Sequence, residues 1–282
     1  VTAALERIIK ETDPVRLHGY TSAQGDMAVR AKIAESIEKR FGFPAKKDLI
    51  YMTCGAAASL TVTLNALINS GDEVIIPAPF FPEYRVFAEN AGAHVVTVMC
   101  REPDFQLDIK AIESAVTKKT KAIIINSPNN PTGAVFSPDT VKALSDMLDK
   151  KQAEYGTDIY IIADEPYREL SYGAEVPYIP KYYANTVVCY SYSKSLSLPG
   201  ERIGYIFIPE SAKDSKKLYA AVCGAGRALG FVCAPSLMQY TVAECTDVLP
   251  DVSAYKKNRD LLFGALTDYG YAAVPPDGAF YL

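Results

Sequence analysis

Most of this chain is written in one repeating pattern. A short run rich in Val and Ile is followed by a longer stretch with apolar residues at helical spacing. The runs are Glu73–Pro77, His94–Met99, Lys121–Asn126, Ile159–Ala163, Thr186–Tyr190 and Gly204–Ile208, with Leu49–Thr53 ahead of them. Several are apolar at nearly every position, which is how strands covered on both faces read. Helical patterns span Ala56–Asn69, Glu83–Ala91, Ile109–Val116, Pro138–Lys151 and Ser211–Gly224. Gly71-Asp72 and Pro138-Asp139 supply breaker or cap signals at helix ends. This alternation predicts an α/β fold of three layers, a mostly parallel sheet with helices on both faces. Such sheets bind ligands beyond the carboxyl ends of their strands. Residues that carry chemistry are therefore sought just after each apolar run.

Length and charge narrow the field. With 282 residues the chain can form one large domain or two smaller ones. A net charge of -4 offers no argument for nucleic acid or an anionic membrane. No run approaches the roughly 20 apolar residues of a membrane span. The six cysteines form no CxxC, and His18 and His94 have no metal-ligand spacing. Free thiols in a reducing cytosol fit better than disulfides, and no metal is expected.

The segments after the runs are distinctive. Val187-Val188-Cys189-Tyr190 leads into Ser191-Tyr192-Ser193-Lys194, and Arg202 follows eight positions after the lysine. An ammonium at the end of a buried strand is costly unless paired or neutralised. A lysine of lowered pKa suits covalent chemistry on a carbonyl, and hydroxyls with an arginine suit a phosphate. A solvated loop is the plain alternative for this stretch alone. Gly55-Ala56-Ala57 opens a helix whose N-terminus can hold an anion, or else serves tight packing. Phe81, after Pro79, is either a stacking platform or core. Asn130, in Asn130-Pro131-Thr132-Gly133, lies in strong turn chemistry. Asp164 ends a buried run and must be paired or bound. A nucleotide-hydrolysing acid pair is excluded there, because the chain has no GxxxxGK[ST] loop. Gly224-Ala225-Gly226-Arg227-Ala228-Leu229-Gly230 imitates a dinucleotide loop but lacks the strand–turn–helix context.

Taken in order, Asn130-Pro131-Thr132-Gly133, Asp164-x-x-Tyr167, Ser191-x-x-Lys194 and Arg202-Ile203-Gly204 resemble the class I/II aminotransferases, fold-type-I enzymes that use pyridoxal 5′-phosphate. Gly71-Asp72-Glu73-Val74 with Pro77-Ala78-Pro79, and Tyr20 with Gly25 before a helix, match as well. The resemblance covers nearly the whole chain. It implies that Lys194 bonds the cofactor's aldehyde and later moves the substrate proton. Asp164 would face the pyridine nitrogen, and Tyr167 and Asn130 the 3′-oxygen. Arg202 and Ser191, assisted by Ser193 and by backbone at Gly55, Ala56 and Ala57, would hold the phosphate. Phe81 would stack on the ring. Tyr20 would reach the phosphate of the neighbouring subunit, making a homodimer with composite sites.

Relatives often carry a hydroxyl or lysine where Ala56-Ala57 stands, so backbone contacts must carry more here. Pro276-Asp277-Gly278-Ala279-Phe280-Tyr281 resembles the family's PxGAFY segment. Relatives continue beyond it, through the arginine that grips the substrate α-carboxylate, and also begin earlier. The resemblance thus implies residues 1–19 as an N-terminal segment of a small domain or linker. Residues 20–235 would be the large cofactor domain, and 236–282 a linking helix and the start of an incomplete small α+β domain. The implied activity is a cytoplasmic aminotransferase moving an amino group from an α-amino acid, of aspartate or aromatic type, to an oxo acid such as 2-oxoglutarate. Two rivals share the fold: a lyase of the C–S β-lyase or aminocyclopropane-carboxylate-synthase kind, and a non-enzymatic sensor domain of a transcription regulator. Arg227 is either a contact to a substrate side-chain carboxylate or a surface arginine.

Overall fold

A computed structural model describes residues 1–282. Helices α1 (Thr2–Glu11), α2 (Pro14–His18) and α3 (Met27–Phe41) lead in. They are followed by β1 (Ile50–Thr53), α4 (Ala56–Leu67), β2 (Glu73–Ala78), α5 (Glu83–Asn90), β3 (His94–Met99), α6 (Ile109–Ala115) and β4 (Thr120–Asn126). Then come α7 (Pro138–Tyr155), β5 (Tyr160–Asp164), β6 (Thr186–Ser191), α8 (Tyr192–Ser195) and β7 (Gly204–Phe207). Helices α9 (Ser215–Ala228), α10 (Ser236–Glu244) and α11 (Ser253–Asp268) complete the chain. No helix is long and apolar enough to cross a membrane.

All seven strands form one sheet in the order β1-β7-β6-β5-β4-β2-β3. The pairs from β6 to β3 are parallel, whereas β7 runs antiparallel to both of its neighbours. The expected mostly parallel three-layer sheet is therefore present. Its strands feed both layers because successive side chains point to opposite faces. Val74, Ile76, Ile124 and Ile162 join Leu60, Leu64 and Val222 on one side. Ile75, Ile123, Ile125 and Ile161 join Ile112, Leu144 and Leu148 on the other. A third cluster packs α3 and α10, through Ile33, Ile37, Met238 and Val242, onto Val188 and Phe207.

Two expectations shift. The run His94–Met99 is an edge strand with His94 and Met99 exposed, so it is covered only in part. An edge position follows from topology, which apolar content does not encode. Helix α9 begins at Ser215, four residues later than its apolar spacing suggested. Turns precede it, with Ala212 N–H donating to the Pro209 carbonyl and Ser215 N–H to that of Ala212. Asp214 then takes a left-handed conformation (φ 50°) at the N-cap. Helices α1 and α2 pack on α10, where Ser236 Oγ donates to the Leu17 carbonyl (2.7 Å). Helix α11 buries no residue. The segment after it returns to the sheet's carboxyl end, with Gly278 N–H on the Gly133 carbonyl and Ala279 N–H on that of Leu170.

Candidate active site

The reversed strand β7 decides the geometry. Residues before a parallel strand lie at the sheet's amino end; reversal brings those before β7 to the carboxyl end instead. Gly204, its first residue, pairs with Thr53 at the end of β1 and Ser191 at the end of β6. A Cβ on Gly204 would stand 2.3 Å from the Tyr190 carbonyl oxygen and 3.2 Å from Gly55 Cα, so only glycine lets these segments converge.

Helix α4 starts there. Its N-cap Gly55 has φ 87° and ψ 176°, offers no side-chain cap, and no acidic residue occupies the first turn. The first-turn N–H groups are left for an external anion. The Arg202 guanidinium lies against Gly55: a Cβ there would be 2.6 Å from Nη2. Arg202 Nη1 donates to the Pro199 carbonyl (2.8 Å). In the same cleft, the buried Ser191 hydroxyl accepts from Ser193 N–H (3.1 Å) and lies 2.8 Å from Ser193 Oγ. Helix terminus, guanidinium and two hydroxyls make a positively biased seat for a phosphate-like group.

The cleft is also lined by a carboxylate, Asp164. Three carboxylates, Asp164, Glu165 and Glu169, lie at or just after the end of β5, and two of them are taken. Glu165 is held by Arg168 through two bonds (2.5 and 2.6 Å), and Glu169 is paired with Arg40. Asp164, 4% exposed, has no cationic partner. Its Oδ2 accepts from the Tyr84 hydroxyl (2.5 Å), while Oδ1 has no partner at all. Burial, with the charge of Glu165, pushes its pKa up to about 7 against the lowering effect of the Tyr84 bond. Such an orphaned oxygen calls for a donor from outside the protein. The neighbouring turn is braced by asparagines: Asn126 Nδ2 donates to the Asp164 carbonyl (2.9 Å), and Asn126 Oδ1 accepts from Asn130 N–H (2.7 Å).

Lys194, on α8, lines the same cleft. Its Nζ is 5.2 Å from the Phe280 ring centre and 6.0 Å from that of Tyr167. The Tyr167 hydroxyl shares a 2.7 Å bond with that of Tyr281, and burial followed by this bond raises its pKa.

A cleft of about 290 Å³ gathers Ala56, Ala57, Phe81, Asn130, Asp164, Tyr167, Ser191, Ser193, Lys194 and Arg202. Gly55 lies against Arg202 beside it. Tyr20 is the one site candidate the chain does not bring there; it is 89% exposed. Arg227 is also absent from the lining. The glycine-rich run Gly224–Gly230 is mostly the last turns of α9, not a loop. Gly226 is there because a Cβ would meet the Tyr51 hydroxyl at 2.2 Å. Leu60, Tyr84, Pro166, Pro199 and Tyr281 also line the cleft and were not foreseen. For Tyr84 a signal existed: a buried unpaired carboxylate demands a donor, and Tyr84 follows the aromatic Phe80-Phe81 pair.

A family model described as aminotransferase class I and II matches residues 1–282. An aspartate/prephenate aminotransferase of Thermus thermophilus is 32% identical over 270 residues, covering 93% of this chain and 68% of that protein. Aromatic-amino-acid aminotransferase 2 of Thermococcus litoralis is 28% identical, covering 99% and 72%. The crystal structure of an amino transferase from Eubacterium rectale superposes with a TM-score of 0.97 at 54% identity, covering 99% of this chain and 70% of that one.

Proposed function

This chain belongs to the class I and II aminotransferases, and on that premise we propose that its cleft holds pyridoxal 5′-phosphate and moves an amino group from an α-amino acid to a 2-oxo acid. One observation carries this reading. The anion seat at Gly55, Ser191 and Arg202, the orphaned Asp164 Oδ1 and the Lys194 amine line one cleft. A phosphate monoester with a ring nitrogen and a carbonyl group fits that donor set. When bound, the cofactor supplies an aldehyde for the substrate amine and a ring that takes up the electron pair left at the α-carbon.

The chain's own residues do the rest. The α4 N-terminus, Arg202 and Ser191 anchor the phosphate and so fix the ring's position. Asp164 would place a negative charge beside the ring nitrogen and so favour its protonated form. Phe81 would cover one ring face. Tyr167 and Asn130 would donate to the ring oxygen. Lys194 would hold the cofactor's aldehyde carbon and would serve as the general base and acid for the proton at the substrate α-carbon. Glu165 and Glu169, the other carboxylates of this segment, are engaged by Arg168 and Arg40. Residues 20–235 act as the cofactor domain, in a cytoplasmic homodimer whose partner copy contributes Tyr20. Aspartate or an aromatic amino acid is the proposed donor, in line with the names of the relatives.

The test is direct. Protein loaded with pyridoxal phosphate is reduced with borohydride and digested, and the adduct mass is located. Attachment at Lys194, with exchange between an amino acid and 2-oxoglutarate, is expected; an adduct on another lysine refutes the assignment. Pyruvate release without amino transfer would favour the lyase chemistry instead.

A further inference from the structure

Tyr84, on the first turn of α5, lies in the cleft wall at 2% exposure and makes a 2.5 Å bond to Asp164 Oδ2. It is the sole side-chain partner of that carboxylate, whose other oxygen is free. The remaining titratable groups coupled to Asp164 are Glu165 on its own segment, Tyr167, and Cys189 on β6, all of them acids. Glu165 is neutralised by Arg168, and Cys189 Sγ lies 3.5 Å from Thr63 Oγ1. The Tyr84 ring is itself fixed, edge-on to Phe81 (5.5 Å, 79°) and stacked at a distance on Phe80 (6.5 Å, 20°).

A single donor on a buried carboxylate decides both its rotamer and how readily it ionises. A neutral donor has a further property. A lysine or arginine would cancel the carboxylate's field, whereas a phenol stabilises the ionised form and leaves the full negative charge in place. We propose that Tyr84 is a positioning residue: its hydroxyl holds Asp164 ionised and turned so that Oδ1 stays available to the cofactor's ring nitrogen. Through its contact with Phe81, the same ring aligns the surface on which the cofactor stacks. The inference rests on the reading of this cleft as a pyridoxal phosphate site.

The experiment uses holoenzyme loaded with pyridoxal phosphate labelled with 15N in the ring, and follows the nitrogen resonance against pH. Wild type should show a protonated nitrogen and Asp164→Asn a neutral one. Tyr84→Phe should lower the pH at which the nitrogen loses its proton by about one to two units, the equivalent of one hydrogen bond to a charged group. Its kcat should fall about ten- to a hundredfold on the same basis, with KM for the amino acid nearly unchanged. Tyr84→His, which keeps a donor, should recover the protonated signal. A Tyr84→Phe profile matching wild type overturns the inference. So does a Tyr84→His profile matching Asp164→Asn, a comparison that remains if the phenylalanine variant fails to fold. If Asp164→Asn itself leaves the resonance unmoved, the assignment of Asp164 to the ring nitrogen fails instead.

Discussion

Replacing Gly55 with alanine should damage the site by two separable routes. The first is the backbone. At φ 87° and ψ 176°, Gly55 occupies a region almost closed to residues with a side chain, and forcing alanine into it costs about 1–3 kcal/mol of folding stability. The second is steric. The new Cβ would lie 2.6 Å from Arg202 Nη2 and 3.0 Å from its Cζ. Arg202 is exposed, so the guanidinium swings away and relieves the clash cheaply. It then no longer stands over the α4 N-terminus. Losing one guanidinium–phosphate contact is worth about 1.5–3 kcal/mol, or roughly ten- to 150-fold in the dissociation constant of pyridoxal phosphate. Urea denaturation of the cofactor-free protein measures the first route, and absorbance titration with the cofactor measures the second. Arg202→Ala and the double variant complete a cycle. If the steric route holds, Gly55→Ala adds little to the affinity loss once Arg202 is gone. Unchanged affinity in Gly55→Ala, or fully additive losses, would refute the reasoning.

Asp164→Asn should lower kcat by about a hundredfold, near 3 kcal/mol for a lost preorganised charge, with little change in substrate KM; near-normal turnover would sink its ring-nitrogen role. The same variant changes the pH dependence of the cofactor-free fold. A carboxyl raised to about 7 when folded, from an ordinary value of 3.8, binds a proton more readily folded than unfolded. Its contribution to stability therefore falls as pH rises from about 4 to 7. Denaturation midpoints across that range should show Asp164→Asn gaining on wild type with rising pH; a constant difference would contradict the shift. Tyr20 is tested by mixing subunits. A dimer of one Tyr20→Phe and one Lys194→Ala subunit holds one intact site if Tyr20 crosses the two-fold axis, so about half of wild-type activity should return. No recovery above the parent variants would show that Tyr20 serves its own subunit.

Sequence and structure agree best where the signal is local. Apolar runs such as Ile123-Ile124-Ile125 and Ile161-Ile162 mark buried strands, because a strand covered on both faces leaves no polar positions. Asp164, Ser191 and Lys194 were legible as candidates because each lies at or just beyond the end of such a run, whereas Arg202 precedes one and was marked by the hydroxyl-rich stretch around the lysine. What escaped was set by long-range geometry. The direction of β7 leaves no mark on Gly204-Tyr205-Ile206-Phe207, since a buried strand reads alike either way. Tyr84 belongs to a helix and reads as ordinary core until Asp164 is seen 80 positions away with one oxygen to satisfy. Tyr281 reaches Tyr167 across 114 positions, a contact no spacing rule anticipates.

The reversal of β7 carries a last consequence, for motion. Had β7 run parallel to β6, a crossover helix would have separated Lys194 from Arg202, and each would answer to different packing. Instead both ride on one hairpin-like excursion between Ser191 and Gly204, residues paired across its base. Segments closed by their own ladder tend to open and reclose as a unit in hydrogen exchange. The amine and the guanidinium should accordingly share one opening free energy, and a fluctuation that loosens the grip on the phosphate should displace the lysine in the same event.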